Sequence, residues 1–249
     1  MLNIIILHCP ACYGALNVPI TSTSTLFKTY EVSISYLYYY GSNSNGSISY
    51  NNFNLSLIRN IRRFSLIFLL PYYYLKTEGV TNDNISTLHG IDLGLRFFPV
   101  YAKFSKHRTI LSALLSYKLP LGFYVKNNQY EDITSYISIG SGYAFIYNKT
   151  INYGEIIYSK ATKENSIQSD RARAIFGLYY SFSTFEIGPV INWVYQKYLN
   201  SNELTLGLSY GFKIFDMKIN LSAHKSLYYK GKGIDNDFSL ELVLRGGFR

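Results

Sequence analysis

Ionisable residues in this chain recur singly, at even spacing, among apolar neighbours. Asp92 and Arg96 alternate with Ile91, Leu93, Leu95 and Phe97, and Lys118 alternates with Leu115, Tyr117 and Leu119. Glu31, Arg173, Glu186, Lys213, Lys218, Glu241 and Arg245 occupy the same phase of their own segments. Charges gathered on one wall set a field, and in a pore they set ion preference. The six basic members (Arg96, Lys118, Arg173, Lys213, Lys218, Arg245) outweigh the four acidic ones (Glu31, Asp92, Glu186, Glu241), which predicts a wall that concentrates anions.

Catalytic chemistry has less to stand on. A Ser nucleophile with a His base needs a third polar group to orient it. His224, between Ser222 and Ser226, is the one candidate, and no G-x-S-x-G elbow accompanies it. His89 falls at a strand end and His107 in a basic turn, and no close Asp/Glu pair anchors acid–base chemistry. Cys9 and Cys12 form a C-P-A-C pair, but no second pair and no zinc-type His spacing complete a metal site. No catalytic residue, metal or cofactor is therefore assigned.

The elements that must hold the charges are strands. In residues 91–97 and again in 111–119, apolar side chains recur at every second position, which is the period of a strand and not of a helix. The same rhythm runs through Tyr30, Val32, Ile34, Tyr36; Phe53, Leu55, Leu57; Phe64, Leu66, Phe68, Leu70; Ile137, Ile139, Tyr143, Phe145; Phe176, Leu178, Tyr180; Ile187, Pro189, Ile191, Trp193; Leu206, Leu208, Tyr210; Ile219, Leu221, Ala223; and Leu240, Leu242, Leu244. With a return strand at residues 151–160, about twelve strands result. Pro71 interrupts the third, where it deletes a ladder hydrogen bond, so a bulge or a membrane rim is expected there.

Alternation alone fits either a soluble sandwich, apolar side inward, or a membrane barrel, apolar side to lipid and polar side to the lumen. Connections decide between them. Long Asn/Ser/Gly-rich loops (residues 41–46, 77–87, 122–132, 162–170, 230–236) alternate with short turns, as when one barrel end faces outside and the other the periplasm. Tyr and Phe gather at strand ends, the place of interfacial aromatic girdles. Only 16% of the residues are charged, too few for the solvated faces of a double sandwich. No apolar run reaches the ~18 residues of a membrane helix. The expected fold is an all-β, antiparallel up-and-down transmembrane barrel over residues 29–249, after a polar lead-in at 15–28. The net charge of +9 is spread singly, without the basic and aromatic blocks of a nucleic-acid partner.

The text GIDLGLRF (residues 90–97) followed by LSALLSYKLPLG (residues 111–122) resembles the bacterial outer-membrane transporter family labelled for the meta-pathway of phenol degradation. Residues 21–36 are similar to the N-terminal part of that family. Leu121 departs from the Thr usual after L-P, and Arg249 follows Phe248 where such barrels end on an aromatic. The resemblance implies a passive transport barrel in the outer membrane, inserted by the barrel-assembly machinery.

Three functions stay open: a channel for small solutes, either anions or small organic compounds; a plugged structural or surface-binding barrel; and an interfacial lipid-modifying enzyme. Lipids of the outer membrane and small solutes are the expected partners. Residues 1–14 read as an export signal, with the apolar stretch Leu2, Ile4, Ile5, Ile6, Leu7 and a cut between Gly14 and Ala15, although the basic start of such signals is missing. N-terminal sequencing of protein recovered from membranes should therefore begin at or near Ala15; retention of Met1 would contradict the export signal.

Overall fold

The computed structural model describes residues 29–43, 46–79, 84–88, 90–104, 107–121, 123–126, 129–132, 135–162, 169–182, 184–197, 200–215, 217–230 and 238–248. The expected export signal, the lead-in and His89 lie outside the described residues. The strands are β1 (Tyr30–Asn43), β2 (Gly46–Ile61), β3 (Phe64–Gly79), β4 (Asn84–Leu88), β5 (Ile91–Lys103), β6 (His107–Leu119), β7 (Phe123–Lys126), β8 (Gln129–Asp132), β9 (Tyr136–Tyr147), β10 (Thr150–Ala161), β11 (Arg171–Ser181), β12 (Phe185–Gln196), β13 (Ser201–Ile214), β14 (Met217–Lys230) and β15 (Phe238–Phe248). All but β7 and β8 belong to one antiparallel sheet, and β4 is a short appendage on β3, which leaves twelve strands in the wall. The wall is closed, because β1 pairs with β15 from Tyr30↔Phe248 onwards and with β2 on its other side, while β2 pairs with β3.

Alternation works as the sequence predicts, and it points outward. Ile139, Leu208 and Leu115 are 57%, 55% and 53% exposed, whereas the next residues along, Ser138, Ser209 and Ser116, are buried. Such a continuous apolar exterior is a lipid-facing surface. At the short-turn end it is rimmed by stacked rings, Phe64 on Phe97 (centroids 4.9 Å apart) and Phe182 on Phe185 (4.2 Å). At the loop end Tyr38 and Tyr40 against Phe238, and Trp193 with Tyr195, make the second girdle. The molecule is a transmembrane β-barrel of the outer-membrane kind.

Several boundaries differ from the sequence expectation, each for a local reason. The Asn/Ser/Gly stretch at 41–46 was expected to be a loop, yet β1 runs to Asn43 and β2 starts at Gly46, in register Asn43↔Gly46. Polar composition there marks strand ends emerging from the membrane. The expected loop at 122–132 carries the β7–β8 hairpin. The basic connection after β5 is also shorter than its composition suggests, since Lys103 pairs with Arg108.

Pro71 is tolerated for a specific reason. β3 pairs with β5 only as far as Leu69 and with β4 only from Tyr72, so the residue without an N–H stands at the break between the two partners. The chain re-enters the wall through Gly90, whose φ is +131° and where an added Cβ would lie 2.5 Å from the Leu119 carbonyl oxygen. A register shift between Phe97 and Val100 then leaves the successive residues Pro99 and Val100 both exposed, while Phe98 keeps the inward phase of Arg96. Leu93, 48% exposed on the outer face, gives the test of this orientation. Leu93→Arg should cost about 2–4 kcal/mol of barrel stability in urea unfolding from phospholipid vesicles, and Leu93→Ile should be nearly neutral.

Candidate functional site

All ten charges singled out by spacing lie on the inward phase of their strands. Glu31, Asp92, Arg96, Lys118, Lys218 and Arg245 are buried; Arg173, Glu186 and Glu241 are half-buried; Lys213 is exposed, close to the turn that ends β13. What spacing does not convey is how they meet. Arg96 on β5 donates from Nη2 to Oε1 of Glu155 on β10 at 2.5 Å, three strands away around the wall, with both side chains under a tenth exposed. Lys218 on β14 donates to Glu186 on β12. Arg173 donates from Nε to Asn192 Oδ1 at 2.9 Å and lies within electrostatic reach of both Glu155 and Glu241. Arg245 lies within electrostatic reach of Glu31 and Glu241, and of Arg96 as well.

Traced in order, Arg96, Glu155, Arg173, Glu241, Arg245 and Glu31 alternate in sign around the interior. A buried ion costs several kcal/mol unless it is paired and hydrogen-bonded. Among the six, Arg96 and Glu155 meet in a direct ion pair, and the other four lie within electrostatic reach of an opposite charge. Asp92 is likewise flanked by Lys118 and Arg171, and Arg171 donates to the hydroxyl of Tyr136 at 2.6 Å with its guanidinium 4.4 Å from the ring centre.

Glu155, Arg171 and Glu203 are inward charges that the spacing analysis did not single out. Glu155 was hidden because both faces of β10 are mixed: Ile151, Tyr153 and Ile157 point in with it, while Asn152, Ile156 and Tyr158 point out. With these three added, the inward surplus of basic over acidic residues falls from two to one.

The lumen wall also departs from the expected polar lining. Phe98, Ile110, Ala144, Ile151, Tyr153, Tyr179 and Val190 form a buried apolar cluster inside the short-turn half of the barrel. Tyr153 and Tyr179 stack with centroids 5.5 Å apart and hydroxyls at 3.3 Å. Gly177 makes room for this stack, because a Cβ there would stand 2.2 Å from the Tyr153 ring. A second cluster joins Ile58 on β2, Ile67 on β3 and Leu114 on β6 to Ile157 on β10. β2 and β10 are five strands apart in a ring of twelve, so the cluster lines nearly half of the interior at one level, and the burial of Ile58, Ile67 and Leu114 makes this level a waist.

Beside the waist remains a cavity of about 40 Å³, walled by Tyr153, Glu155, Arg173, Tyr179, His224 and Glu241 among others. It has room for a few water molecules and no more. His224 reaches this cavity, and its Nδ1 makes no hydrogen bond to Ser222 or Ser226; Ser222 bonds Ser209 instead. His107 stacks on Phe104 and lies tilted against Phe145 on the outer face of β6. Neither histidine is joined to a serine as base to nucleophile.

The Arg96–Glu155 pair can be tested by removing its ends. Arg96→Ala or Glu155→Ala alone leaves a buried charge uncompensated, and each should destabilise the barrel by about 3–5 kcal/mol in urea. The double variant should cost much less than the sum of the two, because neither charge is left behind.

No family model matches the chain, and no curated protein matches it. Among solved structures it is similar to an outer membrane channel from Pseudomonas putida F1, with a TM-score of 0.76 at 13% identity over 96% of this chain and 99% of that one. The β domain of the Bordetella autotransporter BrkA aligns with a TM-score of 0.51 at 12% identity, over 88% of this chain and 100% of that one. The transport unit of the autotransporter AIDA-I from Escherichia coli aligns at 0.50 and 13%, over 94% and 93%. At these identities the likeness is one of fold, and that fold is the outer-membrane β-barrel.

Proposed function

We propose that the protein is a narrow outer-membrane channel for small organic solutes, closed at its waist in the conformation described. The observation that carries this reading is the inner wall of the short-turn half. Phe98, Ile110, Tyr153, Tyr179 and Val190 turn apolar and aromatic surface into the lumen, where a passage for hydrated ions would present polar groups. Passage requires Ile58, Ile67 and Leu114 to separate from Ile157, and Arg96 from Glu155. Those are side-chain movements within a fixed wall. Buried ionisable groups in a membrane protein are costly, and they mark function more often than they serve stability.

Anion passage, the other solute reading, draws less support. Its basic residues are for the most part faced by carboxylates: Arg96 by Glu155, Lys218 by Glu186, Arg245 by Glu31 and Glu241, Lys118 by Asp92. A ring of alternating sign has little net field to concentrate either ion.

Planar bilayers test the proposal. The protein should give a small current with a reversal potential near zero in a salt gradient, and neutral benzamide at millimolar concentration should block that current reversibly while sucrose should not. Tyr153→Ala with Tyr179→Ala should enlarge the current and weaken the block. Strong anion selectivity would return the solute to the anionic class. Absence of current in both proteins would favour a plugged structural barrel.

A further inference from the structure

The outer wall is not evenly convex. Across β1, β2, β3, β5, β6 and β9 it bears an apolar groove of about 880 Å³, floored by Leu57, Leu66, Leu93, Leu95 and Leu115. The inner residues behind it include Gly94 and Ser116, which leave little bulk between this wall and the lumen, and Ile58 and Ile67, which belong to the waist cluster. Five inter-strand gaps of ~4.8 Å make the groove roughly 24 Å long, and strands tilted by ~45° carry it obliquely across much of a leaflet.

In the membrane such a groove is filled by lipid tails, and leucines alone would take any tail. Its short-turn end is different. Tyr30 and Arg59 line it there, with the guanidinium 5.7 Å from the ring centre, and Arg59 is followed by Arg62 and Arg63 in the β2–β3 turn. All three arginines are exposed, and Arg62 has φ +52° in the turn itself. Short turns of such barrels face the periplasm. The cluster therefore stands at the headgroup level of the inner leaflet, at the mouth of a tail-sized groove.

We infer that this groove is a binding site for an anionic glycerophospholipid of the inner leaflet, its acyl chain along the leucines and its phosphate held by Arg59 and the β2–β3 turn. Guanidinium groups suit this task because their planar fork meets phosphate oxygens in pairs. The aliphatic stem of Arg59 lies along the groove while its head reaches the interface. A zwitterionic lipid would supply the same tail, but its ammonium would offset the attraction. The occupant is thus selected by charge at one end and by shape along the rest.

Native mass spectrometry of the full chain, delipidated in detergent and titrated with phosphatidylglycerol or phosphatidylcholine of identical acyl chains, tests this. Phosphatidylglycerol should be retained at lower concentration, with a preference of about fivefold for each arginine engaged. Arg59→Gln combined with Arg62→Gln should bring the two lipids to parity. Leu95→Trp, which fills the groove, should reduce retention of both, with heat-modifiable gel migration confirming that each variant is folded. Equal retention of the two lipids by the unmodified chain would overturn the proposal. So would a preference that survives the double arginine change, or lipid-free dimers in place of lipid adducts, which would make a second copy the occupant.

Discussion

A strand immersed in hydrocarbon can send its amide and carbonyl groups only to a neighbouring strand, and every strand must therefore have two neighbours. Lipid offers no hydrogen bond, and an open edge would cost several kcal/mol per unsatisfied group. The chain meets this constraint by bringing its last strand back to its first, from Tyr30↔Phe248 to Tyr40↔Phe238. Local features follow from the same rule. Pro71 stands where β3 passes from one partner to another, and a register shift in β5 is confined to the stretch between Phe97 and Val100, near the turn that closes the hairpin.

Closing twelve strands creates an interior whose filling is a separate matter. Barrels of eight strands are filled by side chains and those of sixteen or more leave an aqueous channel, so twelve can go either way. Here large inward side chains fill the interior at the level of Ile58, Ile67, Leu114 and Ile157. Charges trapped beside such a waist cannot rely on water, and they are held instead by alternation of sign from Arg96 through Glu155, Arg173, Glu241 and Arg245 to Glu31.

Much of this architecture is legible in the sequence because a lipid-facing strand has to show its apolar residues at every second position. Leu93, Leu115 and Leu208 could be placed on the outer face from spacing alone, and so could the inward phase of Asp92, Arg96 and Lys118. Strand ends were harder. Outside the membrane nothing imposes alternation, so Gly41, Ser42 and Asn43 read as loop although they are paired, and the β7–β8 hairpin left no signal. The interior was hardest. Inward residues answer to partners on distant strands, and sequence spacing carries no information about who faces whom across a lumen. Glu155 and the aromatic pair Tyr153–Tyr179 therefore became visible only with the fold.

The central claim is that the lumen is closed across its width at one level, and a distance measurement tests it most directly. With Cys9 and Cys12 replaced by Ser, Ile58→Cys and Ile157→Cys place one thiol on β2 and one on β10, five strands apart. A bifunctional thiol reagent of about 8 Å, a little longer than the Cα span of a disulfide, should join them efficiently in the purified, folded barrel, because Ile157 packs against the cluster that contains Ile58. A round, open barrel would hold the two thiols on opposite walls. Complete alkylation of both by a water-soluble maleimide, without any cross-link, would contradict the closed waist.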